Sequence, residues 1–289
     1  MRNLKRIAAL GLAVAMTFAL TACGSSAGTE AAPAETTEAA ADETAAAETT
    51  EAATEDAAAE EAAPADGKVY QIATDTTFAP FEFENDSSEL VGIDMDLLKA
   101  IAEDQGFQYE VQSVGFNAAM TALEAGEVDG MIAGMSITDE RKAKYDFSEP
   151  YYDSGVGMAV LADSDIASYE DLEGKQVAAK IGTEGCTFAE SIADQYGFTI
   201  TQFEDSSTMY QDVLAGTSVA CFDDYPVLGY EITRGIGFKL PLDMEKGSSY
   251  GFAVLKGENA ELLEMFDAGL ANLKANGKYD EILNTYISK

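Results

Sequence analysis

From Lys68 onward, apolar positions switch between strand-like and helix-like spacing. Short apolar runs at 69–75, 107–114 and 128–134 read as strands. Between them, Ile93, Leu97, Ala100 and Ile101 recur on one helical face that should extend to about Gly106, and 118–125 carries a second helical pattern. Residues 152–162, with Gly155 and Gly157, form an extended segment that leaves this first set. A second set follows: a short helical turn and a strand within 168–183, a helix at 188–196, a strand at 198–203, a helix at 209–215, and a strand at 218–224 ending in two carboxylates. An extended return at 247–255 and two long helical patterns, 260–276 and 279–287, close the chain. Repeated strand, helix, strand order predicts an α/β fold with mainly parallel sheets flanked by helices. In such sheets ligands bind beyond the carboxyl ends of the strands. Asp75, Phe78, Phe116, Ala133, Gly134 and Ser136 in the first set fall at those places. Lys180, Thr183, Glu184, Asp223 and Asp224 do so in the second, which makes all of them candidate site residues.

The chain before Lys68 has a different character. Residues 24–67 hold no aromatic and no basic side chain and are almost wholly Ala, Glu, Thr, Asp, Pro, Gly and Ser. Such a composition buries too little apolar surface to offset its ordering entropy, so a disordered acidic linker is expected, reaching roughly 35–40 Å as a flexible coil. Residues 1–23 carry Arg2, Lys5 and Arg6, then an apolar run and small residues before Cys23, the pattern of a secretory signal. The ending Leu20-Thr21-Ala22-Cys23 resembles a bacterial lipobox. That implies cleavage before Cys23, acylation of its thiol and attachment to the outer face of a membrane.

Charge and composition remove several functions. The formal charge is −35, and the 14 basic and 40 acidic residues from Lys68 onward still leave −26. Nucleic acid is not an expected partner, because phosphate binding needs a basic face. Histidine is absent, which rules out Ser-His-Asp and Cys-His catalysis and the common zinc sites. Neither a G-x-x-x-x-G-K-[ST] loop nor G-x-G-x-x-G occurs, so no cofactor and no metal are expected. Cys186 and Cys221 are left as a disulfide or as two buried thiols.

Residues 133–152 carry the most pointed chemistry. Ser136, Thr138, Asp139 and Glu140 suit the cap and first turn of a helix, which puts Arg141 where the helix dipole disfavours a cation. Arg141 is one of only two arginines beyond residue 6, the other being Arg234. A guanidinium beside free helix-start N–H groups is suited to grip a carboxylate through two parallel hydrogen bonds. Surface pairing with Asp139, Glu140 or Asp146 is the alternative.

The run SITDERKAKYDFSEPYY at 136–152, with ATDTTFAPFEF at 73–83 and LVGIDMDLLKAIAE at 90–103, resembles the polar amino-acid solute-binding proteins of ABC importers. This family includes the glutamine-binding and lysine/arginine/ornithine-binding proteins, and the similarity covers about Lys68 to the C-terminus with its segments in the family's order. It implies a two-lobe, type II periplasmic-binding-protein-like fold. Residues 68–153 plus 251–289 would form one lobe and 154–250 the other, joined by two crossing hinge strands. It further implies a monomeric, lipid-tethered extracellular receptor that closes on a free L-amino acid and delivers it to an ABC transporter permease, with sensing as another use of the same module.

The resemblance also gives the candidates roles. Asp224 resembles the family carboxylate that accepts hydrogen bonds from the ligand α-ammonium, although an Asp before Tyr225-Pro226 also suits a helix N-cap. Arg141, with Ser136 and the Thr183 region, would hold the α-carboxylate. Phe78 and Phe116 would sandwich the side-chain stem, plain core being the other reading of each. Asp75 and Lys180 would face the distal group; an acceptor with a donor suits a neutral amide and points to glutamine. Glu184, where the family usually has Thr, Ser or Gly, and Asp223 add negative charge that would instead select arginine or lysine. Paired carboxylates such as Asp223 and Asp224 can do acid–base work, and dehydratases acting on prephenate-like substrates share this fold. A binding protein rather than an enzyme is the expectation.

Overall fold

The computed structural model describes residues 67–287, so the signal, lipobox and linker readings for 1–66 lie outside the described residues. Strand β1 (Val69–Thr74) leads into a small antiparallel sheet of β2 (Thr77–Phe78), β3 (Glu82–Glu84) and β4 (Leu90–Val91). Helix α1 (Ile93–Gln105), β5 (Gln108–Ser113), α2 (Phe116–Glu124), β6 (Gly130–Met131), α3 (Asp139–Lys142) and β7 (Tyr145–Phe147) follow. Strand β8 (Tyr152–Leu161) then enters a second lobe of β9 (Gln176–Lys180), α4 (Glu184–Tyr196), β10 (Thr199–Phe203), α5 (Ser206–Leu214), β11 (Ala220–Asp224), α6 (Tyr225–Thr233) and β12 (Phe238–Lys239). Strand β13 (Glu245–Tyr250) returns, and β14 (Ala253–Leu255), α7 (Ala260–Asn276) and α8 (Lys278–Tyr286) complete the first lobe.

The first-lobe sheet has the order β5-β1-β6-β14-β7, and the second β10-β9-β11-β8-β12 with β13 also paired to β8. Strand β1 is parallel to β5 and β6, and β9 is parallel to β10 and β11. All ladders made by β8 and β14 are antiparallel. The sheets are therefore mixed rather than mainly parallel. Strands joined by helical crossovers share a direction, whereas the segments that pass between lobes enter from the opposite end. Tyr151, Tyr152 and Tyr250 pack with the first-lobe core, while Val156 and Leu242 pack with the second, so the paired strands β8 and β13 carry the chain across.

Helix α1 shows how the sequence makes these elements. Ile93, Leu97, Leu98 and Ile101 recur at three- and four-residue spacing and are fully buried, facing α7. At Gly106 the chain turns left-handed (φ 72°) and its N–H bonds back to the Ala102 carbonyl, which ends the helix. Gly269 of α7 lets the helices approach, since a Cβ there would lie 2.8 Å from Ile101 Cγ2. Truncating a side chain such as Leu97 to alanine is expected to cost about 2–5 kcal/mol.

Where the elements differ from the sequence pattern, the site is usually the reason. Helix α2 starts at Phe116 and α4 at Glu184, earlier than their apolar periodicity indicates, because their first turns face a cleft rather than a core. The strand at 128–134 has ladder pairing only at Gly130–Met131 and then bends away. Cys186 and Cys221 are both buried free thiols, not a disulfide.

Candidate functional site

The two lobes meet through the ends of their parallel strands and the first turns of the helices that follow. From the first lobe, β1 delivers Asp75, β2 holds Phe78, α2 opens on Phe116, and the chain leaving β6 supplies Gly134 and Ser136. The single turn of α3 is capped by Thr138, whose hydroxyl accepts the Arg141 N–H at 3.2 Å. The Arg141 guanidinium is buried. Nη1 donates to the Ser136 carbonyl at 2.9 Å, and Nη2 to the Gly182 carbonyl of the other lobe at 3.0 Å. Its nearest carboxylate is Glu184, 3.9 Å away, also in the other lobe, while Asp146 pairs with Lys256 at 3.0 Å. Arg141 is thus an inward-facing group, not a partner for its helical neighbours.

From the second lobe, β9 ends on Lys180, and Thr183 caps α4 by accepting the Cys186 N–H at 3.3 Å. Gly185 lets α4 sit against β11, since a Cβ there would lie 2.8 Å from the Phe222 carbonyl oxygen. Adjacent residues of a strand face opposite sides, and the acids ending β11 separate accordingly. Asp223 accepts from the Tyr210 hydroxyl at 2.6 Å and from the Asp224 N–H at 2.9 Å. Asp224 accepts from the Tyr250 hydroxyl at 2.6 Å and the Ser154 hydroxyl at 3.4 Å, both on the crossing strands. Asp224 also occupies the N-cap position of α6, yet its side chain caps no N–H there.

Phe78, Phe116, Gly134, Ser136 and Arg141 on one side and Lys180, Thr183, Glu184 and Asp224 on the other line a narrow cavity between the lobes. Three sequence candidates do not line it. Asp75 lies behind Lys180 and makes an ion pair with it, both side chains 1% exposed. Ala133 packs in the core beside Phe116, and Asp223 points toward Tyr210. Asp75–Lys180 and Arg141–Glu184 are both contacts between lobes, as is the bond from the Ser206 N–H to Thr77 Oγ1 at 3.2 Å.

The cavity's charges are perturbed by burial. The Asp224 carboxyl is pushed up to about 7, first by burial and then by neighbouring Asp223, while the Tyr250 hydroxyl and Arg141 hold it down. Burial also lowers the basicity of Arg141, an effect opposed by Glu184 and Asp224. The Lys180 ammonium lies 5.2 Å from the Phe78 ring centre, and the Arg141 guanidinium 5.4 Å from that of Phe116. Among the described residues, no group of three or more His, Cys, Asp or Glu is placed to hold a metal ion.

The sequence reading missed the groups that hold these residues in place. Tyr250 and Ser154 bind Asp224 from the hinge, and Asp94 accepts the Gly134 N–H at 2.8 Å. Asp94 left a legible signal, an acid three and four residues before Leu97 and Leu98 on the apolar stripe of α1. The Gly182 carbonyl left none, since any residue supplies one.

Residues 70–289 match the model of the bacterial extracellular solute-binding proteins, family 3. The arginine-binding extracellular protein ArtP of Bacillus subtilis (strain 168) is 28% identical over 283 residues, covering 96% of each chain. Substrate-binding domain 2 of Lactococcus lactis GlnP, solved in an open conformation, is 45% identical over 79% of this chain and 99% of that one, with a TM-score of 0.56. An ancestral arginine-binding protein, solved with glutamine and with arginine bound, is only 36% identical over 76% of this chain and 98% of that one, yet superposes at 0.71. The chain belongs to family 3 of the bacterial extracellular solute-binding proteins.

Proposed function

We propose that this protein is the extracellular receptor of an amino-acid ABC importer, that its lobes close on one free polar L-amino acid, and that it delivers that amino acid to a membrane permease. The observation that carries this reading is the placement of opposite charges on opposite walls of one enclosed cavity: Arg141 from the first lobe, Asp224 from the second. A zwitterion satisfies both at once, the guanidinium taking the α-carboxylate with help from Ser136 and Thr183, and Asp224 taking the α-ammonium. Neither lobe alone offers both contacts, so the ligand favours closure. No chemical step is assigned, since Asp223 is turned from the cavity and leaves Asp224 without a second acid beside the ligand. The protein acts as a monomer held at the outer membrane face by acylated Cys23, with the acidic segment that follows as tether.

Glutamine is the preferred ligand. Lys180 is neutralised by Asp75 behind it, which suits an uncharged amide between Phe78 and Phe116 better than a second cation or anion. Glu184 favours a second reading, a basic amino acid, because it adds a carboxylate to the cavity wall that is held to Arg141 only through a long ion pair of 3.9 Å. A thermal-shift screen against the twenty amino acids, followed by calorimetry, separates these. Glutamine should give the largest stabilisation. A larger shift with arginine or lysine selects the second reading, and no shift with any amino acid refutes both.

A further inference from the structure

The first-lobe wall of the cavity is held from behind by two acids that nothing else explains. Glu82, in β3, and Asp94, in the first turn of α1, are both 0% exposed. Asp94 Oδ2 accepts two donors, the Gly134 N–H at 2.8 Å and the Tyr151 hydroxyl at 2.8 Å. Asp94 Oδ1 and both oxygens of Glu82 meet no donor, although the two carboxyl groups lie within hydrogen-bonding reach of each other. Buried acceptors without donors are costly, and two adjacent buried carboxylates cannot both stay ionised. One proton on Glu82, donated to Asp94 Oδ1, removes the conflict. Asp94 is the better anion, because its two donors favour the charged form. Burial, Asp94 and Asp75 hold Glu82 in the neutral form against the opposing Lys180, and Tyr151, facing Asp94, stays neutral as well.

What this pair grips matters for binding. Gly134 lines the cavity in the left-handed conformation (φ 53°), and a Cβ there would lie 2.5 Å from the Phe78 ring. Tyr151 immediately precedes crossing strand β8. We propose that Glu82 and Asp94 share one proton and act as positioning residues for the binding site, fixing the Gly134 backbone against Phe78 and tying it to the hinge at Tyr151.

The affinity arm of the test rests on the proposed amino-acid binding; the spectroscopic arm does not. Infrared difference spectra of wild type and Glu82→Gln at pH 9, where Asp224 is ionised, should show a protonated-carboxyl band in the wild type that the variant lacks. With L-glutamine and L-arginine as probes, Glu82→Gln, whose amide still donates to Asp94, should bind within threefold of wild type at pH 7. Glu82→Leu should bind at least tenfold more weakly. Toward alkaline pH the wild type should lose affinity relative to Glu82→Gln, which has no proton to lose there; this ratio cancels titration of the ligand amine and of Asp223, Asp224, Asp75 and Lys180. An unchanged infrared band in Glu82→Gln overturns the shared proton. Equal affinities of folded Glu82→Leu and Glu82→Gln, or a flat ratio if the leucine variant does not fold, overturn the positioning role. If neither probe binds wild type, the ligand assignment fails while the infrared result still decides the proton.

Discussion

Replacing Lys180 with methionine separates the energetics of closing from those of folding. In the closed protein Lys180 and Asp75 form a fully buried ion pair between lobes, and the second carboxylate oxygen of Asp75 has no hydrogen-bond partner. Removing one member of such a pair strands the other charge and costs about 3–5 kcal/mol. An upper limit follows from the alternative of protonating a carboxylate, which for an ordinary aspartate at pH 7 costs about 4 kcal/mol. When the lobes part, each side chain returns to water, so the penalty falls on closure and hardly at all on unfolding. A cost of about 3 kcal/mol lowers the closed population roughly 150-fold, and apparent affinity falls with the closure-competent fraction. The expected result for Lys180→Met is therefore a Kd raised by about two orders of magnitude, a ligand-free melting temperature within a few degrees of wild type, and an open average shape in small-angle scattering with ligand present. Adding Asp75→Asn removes the stranded charge and should restore most of the affinity, which a double-mutant cycle reads as coupling. Wild-type Kd in Lys180→Met, or no recovery in the double variant, would refute the reasoning.

Three further outcomes follow from the same geometry. Arg141→Ala leaves the α-carboxylate buried without its guanidinium, an expected loss of about 2–5 kcal/mol of binding; calorimetry returning a wild-type Kd would remove Arg141 from the site. Gly134→Ala forces a Cβ to 2.5 Å from the Phe78 ring at positive φ, so it should cost more than about 1 kcal/mol of stability and weaken binding, checked by denaturant melts and calorimetry. The Asp224 carboxyl is pushed up to about 7, raised above its unfolded value by burial. Its contribution to stability is therefore complete below about pH 4 and is lost as pH rises through 7. A bound ammonium pulls the same carboxyl down, so binding near pH 7 should release protons and affinity should fall as the pH drops below 7. Calorimetry in buffers of different ionisation enthalpy counts those protons, and a count of zero rejects the Asp224–ammonium contact.

Much of this arrangement was legible in the chain because the site lies at element ends, where sequence signals are strongest. Thr138 is a helix cap, and Asp223 and Asp224 close an apolar strand, so their places follow from local chemistry. The resemblance in 73–83, 90–103 and 136–152 then supplied what periodicity could not, the two crossings between lobes. Three features stayed hidden. Strands β2, β4 and β12 have two residues each, too few to show a period. The antiparallel members of each sheet are set by where the crossing strands enter, a property of the whole topology. That Asp223, also a candidate, turns away from the cavity depended on the register of β11 against β8, where Asp224 lies opposite Val156 and Asp223 opposite Gly157.

The closed form contains its own latches, and this bears on how tightly any ligand can bind. Arg141 reaches across to the Gly182 carbonyl and stands 3.9 Å from Glu184, and Lys180 spans to Asp75. Closure is thus opposed by dehydrating these charges and favoured by pairing them, two effects of similar size for buried ion pairs. A ligand need supply only the difference, but it must do so in a space already narrowed by protein side chains. Glu184 is then the residue on which the balance turns, for its carboxylate offers Arg141 the same kind of partner that an amino acid would bring.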